Sequence, residues 1–151
     1  MPLKSDPWIL LANAASTWAM TGLILFVHVV HYPLFAKVGE EAFAGYHAGH
    51  TRATSFVVIP FMLVELATAL LLVMRPPQGS TATLPAIGLG LVVVAWLATF
   101  AGAVPAHEAL GRGFDAGAHA RLLRADAIRT VAWVGRSLLV TALLVRALPR
   151  T

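Results

Sequence analysis

The sequence predicts an all-α fold: an integral membrane four-helix up-down bundle, with a short interfacial helix between spans 1 and 2. Three observations lead there. Of 151 residues, 58% are hydrophobic and only 12% are charged. A soluble domain carries roughly 25% charged residues, and so few charges cannot cover a surface that faces water. Four apolar stretches, at about 8–32, 53–74, 84–104 and 130–148, each match the length of about 20 residues that crosses a hydrocarbon core. Prolines and polar clusters separate them, as they separate helices. The whole chain, 1–151, reads as a single transmembrane domain.

The first span holds no Lys, Arg, Asp or Glu. Pro7 suits its start and Pro33 its end, with Trp8 and Tyr32 placed as interfacial belt residues. Its apolar run is longer than the roughly 7–15 residues of a signal-peptide core, so a retained span is expected. The polar stretch 34–52 follows, with Lys37, Glu40, Glu41, Tyr46, His47 and His50. Val38, Ala42, Phe43 and Tyr46 recur at helical spacing there, which predicts the interfacial helix. The second span contains Pro60, a kink that neighbouring helices tolerate, and Glu65 near its middle. RPPQGSTAT, 75–83, is a turn. The third span begins at Pro85 and is rich in small residues that permit close helix contact: Gly88, Gly90, Ala95, Ala98 and Gly102. Pro105 is expected to end it. A second polar stretch, 106–129, leads through a predicted helix cap at Asp115 into the fourth span, which carries Arg136.

Several classes of function are excluded. There are no cysteines, hence no disulfides, thiolate metal sites or Fe–S clusters. The formal charge of +4 comes without a Lys/Arg-rich run, which points to anionic lipid headgroups and not to nucleic acid. Gly111-Arg112-Gly113 lacks the Lys-Ser/Thr end of a phosphate loop, and neither G-x-S-x-G nor H-E-x-x-H is present.

Four alternating spans place both long connections on one side of the bilayer. His28, His31, His47, His50, His107 and His119 all map to that side. It carries Lys37, Arg52, Arg112, Arg121, Arg124 and Arg129, against Lys4, Arg75, Arg146 and Arg150 opposite, so positive-inside bias makes the histidine side cytoplasmic. His28-x-x-His31 and His47-x-x-His50 each place two imidazoles three apart, on one helix face. Neutral imidazole suits Fe, Cu and Zn. The candidate metal ligands are His31, His47, His50 and His107; His28, His31 and His107 are candidates for holding a cofactor such as haem. The bland alternative is a set of interfacial histidines bonded to backbone or headgroups. Glu65, a carboxylate within a span, is costly and needs a partner; Arg136, entering from the same side, is the expected one. The pair reads either as a structural ion pair or as a catalytic or proton-carrying one. Asp126, Arg129, Trp133 and Arg136 form a polar stripe that suits a quinone, a lipid headgroup or an acidic substrate.

HYPLF (31–35), FAGYHAGH (43–50), VPAHEALGRGFD (104–115) and RTVAWVGR (129–136) resemble a group of small four-span bacterial membrane proteins of unknown function. In plan the chain is also distantly similar to the anthrone-oxygenase-like membrane family. That resemblance implies a four-helix membrane fold and, in some members, oxidation of polycyclic aromatic substrates. Taken together, the residues lead first to a metal- or haem-dependent oxidoreductase or oxygenase, multi-pass in the cell inner membrane, acting on an apolar small molecule or quinone. Two rivals stand beside it. One is a non-enzymatic accessory subunit of a respiratory or photosynthetic membrane complex, with haem or pigment bound or not, in contact with partner chains or further copies of itself. The other is a small transporter of protons or acids through Glu65 and Arg136.

Overall fold

The computed structural model describes residues 5–149; Lys4 and Arg150 of the charge count lie outside the described residues. Four long helices follow one another: α1 (Pro7–Lys37), α2 (Glu40–Met74), α3 (Thr83–Leu110) and α4 (Ala116–Ala147). Asp6 caps α1, its carboxylate accepting the Trp8 N–H, with Pro7 in the first turn. Asp115 caps α4 by accepting the Ala118 N–H. Before it, Gly113 takes φ +135°, a conformation that side chains with a Cβ rarely adopt.

The helices run longer than the hydrocarbon requires, 28 to 35 residues against about 20. The polar stretch expected as a separate interfacial helix is helical, but it forms the first turns of α2 without a break. Only Val38 and Gly39 separate α1 from α2. Pro33 and Pro105, expected to stop helices, lie inside them. A π-helical turn precedes each, Val27–His31 before Pro33 and Ala98–Ala103 before Pro105. The reason is local. A proline ring collides with the carbonyl four residues earlier and offers no N–H; a wider turn moves that carbonyl aside and lets the helix continue. The π turn has a second effect. It changes the angular step between residues, so His28 and His31 do not share the face that their spacing predicts.

α1 packs on α2 and α4, and α3 packs on the same two helices, which closes an up-and-down ring. Its core is stacked in layers. One lies around Phe35, Phe43, Leu110 and Leu122 at the histidine end. A second surrounds Met20, Met62 and Trp133, and a third surrounds Leu10, Leu72 and Leu143 at the far end. The outer face is apolar: Phe56 is 80% exposed and Val131 74%. In water such a surface would aggregate; in lipid it is solvated. Four helices of this length and apolarity make a multi-pass membrane protein.

Gly102 sits where α3 crosses α4. A Cβ there would lie 2.7 Å from the Ala125 Cβ, whereas one at Gly90 meets open space. Gly102→Ala is expected to cost about 1–3 kcal/mol by forcing the helices apart, and Gly90→Ala to be neutral or slightly stabilising. Thermal unfolding in detergent checks both; equal effects would show that the α3–α4 contact is looser than described.

Candidate functional site

Four imidazoles from three helices meet at one end of the bundle. His31 Nε2 and His50 Nδ1 are 2.7 Å apart, and His47 Nε2 and His107 Nδ1 are 2.9 Å apart. The two pairs adjoin, with the His50 and His107 ring centres 5.7 Å apart. Each element contributes for a reason visible in its own turn. The π turn of α1 aims His31 at α2. His47 and His50, three apart in regular helix, both reach the cluster. His107 follows Pro105 in the last turns of α3. An imidazole–imidazole hydrogen bond needs one ring to accept through a bare nitrogen, so each pair holds at least one neutral ring.

Aromatic side chains wall the cluster. Phe35, fully buried, meets the His50 ring edge-on at 5.1 Å and the His47 ring at 5.8 Å. Tyr32, assigned from sequence to the interfacial belt, is buried instead, and its hydroxyl shares a 3.0 Å hydrogen bond with His107 Nε2. His119 Nε2 bonds the backbone carbonyl of Tyr32 at 2.8 Å and so braces this end of α1 against α4. His28 stands apart from the cluster. Its Nδ1 lies 2.9 Å from Asp126 Oδ2 on α4. Asp126 also faces Arg129, whose Nη1 is 3.8 Å from Oδ1, and Arg129 lies over the Trp133 ring at 5.5 Å.

Two clefts reach the imidazoles. One, of about 640 Å³ between α1 and α2, is bordered by Phe26, His31, Tyr46 and His50. The other, of about 610 Å³ between α2 and α3, is bordered by His47, His50, Trp96, His107 and Arg129. Ile59 and Phe100 stand at the second cleft's rim and are both more than half exposed on the lipid-facing surface. That cleft therefore opens sideways towards hydrocarbon. His50 borders both.

Glu65 and Arg136 form a different arrangement. Arg136 Nε donates to Glu65 Oε1 at 3.2 Å, Thr17 donates to the same oxygen at 2.8 Å, and Trp133 Nε1 donates to Oε2 at 2.8 Å. Arg136 Nη2 donates to Asn13 Oδ1 and Thr17 Oγ1, both at 3.1 Å. The pair is fully enclosed and borders neither of the two clefts. Glu65 follows His50 by roughly 22 Å of helix at about 1.5 Å per residue, and its bonds go to no histidine.

Among the described residues, no group of three or more His, Asp or Glu side chains is arranged to hold a metal ion. The imidazoles spend nitrogens on one another. Two nitrogens on a tetrahedral metal, each about 2.0–2.1 Å from it, stand roughly 3.3 Å apart. Small ring rotations would open the observed 2.7 and 2.9 Å pairs to that separation. A haem held by two of these histidines would have to pass between their rings, and rings in direct hydrogen bond leave no space for it.

The site also contains residues that sequence reasoning passed over: Thr54, within 3.2 Å of His50 Nδ1, and Trp96. A signal was available for Trp96, since Trp96, Thr99, Ala103 and His107 recur at steps of three and four on one face. The chain matches no protein-family profile, no curated protein and no solved structure.

The enclosed pair makes a direct prediction. Arg136→Ala strands a buried carboxylate and should destabilise the protein by about 3–5 kcal/mol. Glu65→Gln, which keeps the side-chain volume and one of the two acceptor oxygens, should cost less. Thermal unfolding of both variants in one detergent checks the order; a reversed order would mean that the carboxylate is not ionised in the bundle.

Proposed function

We propose that the protein is a metal-dependent oxidoreductase of the oxygenase type, resident in the cell inner membrane and acting on an apolar small molecule that enters from the bilayer. One observation carries this reading: four imidazoles from α1, α2 and α3 converge, and three of them, His47, His50 and His107, border a cleft that opens towards lipid. A structural histidine needs one partner. Four gathered imidazoles, when unprotonated, make a donor set of the kind that Fe and Cu take.

His31, His47, His50 and His107 hold the metal in this reading. Bound there, Fe or Cu would supply redox chemistry with dioxygen as the oxidant. The chain's own contributions are binding, orientation and exclusion of water. Phe35 and Tyr32 pack against the imidazoles and hold the rings in place. The Tyr32 hydroxyl occupies one His107 nitrogen and leaves the other to turn inward. The apolar side chains of the cleft receive the substrate body and keep bulk water from the site. Glu65 and Arg136 serve as the brace that sets the helices in register.

The test is metal content. Protein purified in mild detergent is expected to carry about one Fe or Cu ion per chain, reduced at least tenfold in His50→Ala and His107→Ala and retained in His119→Ala. Retention should be lost in acid, because imidazole must be unprotonated to ligate. A folded protein that neither holds nor takes up Fe or Cu overturns the reading. Zinc alone would retain the site and remove the redox assignment.

A further inference from the structure

The cleft between α2 and α3 contains more than imidazoles. Among the described residues four buried side-chain polar atoms have no hydrogen-bond partner: Ser5 Oγ, Trp96 Nε1, Asp126 Oδ1 and Arg129 Nε. Two of them, Trp96 Nε1 and Arg129 Nε, are N–H donors of residues that border this one cleft. Leaving such donors unpaired costs free energy, more for a charged group than for a neutral one. Arg129 is the stronger case. Its side chain is only 7% exposed, yet its one acidic neighbour, Asp126, stands 3.8 Å from Nη1, beyond hydrogen-bond reach. That carboxylate is already engaged by His28 at 2.9 Å through its other oxygen. The guanidinium thus meets Asp126 at long range through Nη1, has the Tyr32 hydroxyl as a hydrogen-bond partner, and leaves Nε without an acceptor.

We propose that this cleft is a binding site for an amphipathic carboxylate, a long-chain fatty acid or an acid of similar shape, with its headgroup on Arg129 and Trp96 and its chain directed towards the bilayer. A planar carboxylate matches the side of a guanidinium with two parallel bonds, and one arginine balances its single charge. A phosphate would call for a second cation. The other charged side chain that borders the cleft is Glu108, which is exposed, and its sign disfavours a dianion more than a single carboxylate. The chain has an apolar path past Val58, Ile59, Met62 and Phe100 to the lipid. The volume, about 610 Å³, lies within the range of sites that enclose ligands of this size. His47, His50 and His107 form the adjoining wall, so the carbons nearest the headgroup lie against the imidazoles. This inference names the substrate class of the site proposed above, and rests on that reading for the reaction but not for the binding.

Binding is therefore measured on protein stripped of metal by a chelator, in a non-ionic maltoside detergent. Equilibrium dialysis compares radiolabelled dodecanoate with dodecanol, which has the same chain and no charge. Dodecanoate should bind the wild-type protein at least tenfold more tightly, and Arg129→Gln should abolish that preference without changing dodecanol binding. Trp96→Phe, which keeps the ring and removes one N–H, should weaken dodecanoate by a few fold. Equal binding of the two probes by wild type, or an unchanged preference in Arg129→Gln, overturns the proposal. If Arg129→Gln fails to fold, the wild-type comparison and Trp96→Phe decide it. Carboxylate binding by a protein that takes up no Fe or Cu would leave this site standing and remove the oxygenase reading; Fe or Cu uptake with no carboxylate preference would do the reverse.

Discussion

The ion pair between Glu65 and Arg136 is where all four helices meet. Asn13 and Thr17 bring α1 to it, Glu65 brings α2, and Trp133 and Arg136 bring α4. α3 contributes by absence of a side chain: a Cβ on Gly88 would fall 2.7 Å from Arg136 Nη1. In hydrocarbon an ionised group without its partners is very unfavourable. Each helix can therefore rotate about its axis only as far as these bonds allow. Apolar packing between lipid-facing helices is permissive, since lipid tails are as good a solvent for Leu as another Leu is. The polar layer is directional, and it selects one rotation for each helix.

That choice of rotation fixes what gathers at the histidine end. Once α2 turns Glu65 inward, His47 and His50 face α3 and α1, and Phe43 closes the core beneath them. The two π turns make the local adjustment. They accommodate Pro33 and Pro105 within continuous helices and, at the same time, divide the imidazoles of α1 between two neighbours: His31 goes to α2, His28 to Asp126 on α4. The same backbone irregularity thus answers a steric problem and places functional groups, a pairing that π turns often show.

The result is a bundle with two kinds of polar interior. Around Glu65 the donors and acceptors are paired and enclosed. Around Arg129 and the imidazoles they are incompletely paired and lie beside clefts that reach the lipid. The contrast separates a layer that holds the helices from a region suited to bind something else. It also explains why two arginines on one stripe, seven residues apart, take different roles: Arg136 lies opposite a carboxylate on α2, and Arg129 lies opposite a cleft.

Much of this could be read in the chain alone. Four long apolar stretches with very few charges dictate four spans, because an extended apolar helix is at home in hydrocarbon, and strict alternation of the spans puts His31, His47, His50 and His107 at one end. The need of Glu65 for a cation likewise singles out Arg136. Those conclusions rest on composition and on one-dimensional order, which the bilayer converts directly into position along its normal. Rotation about each helix axis is another matter. Whether Tyr32 points to headgroups or to His107, whether His28 joins His31, and which neighbours Trp96 and Arg129 face are settled by the angular step of a π turn and by the bonds of a buried ion pair. Both arise only when helices touch, so tertiary packing alone decided them.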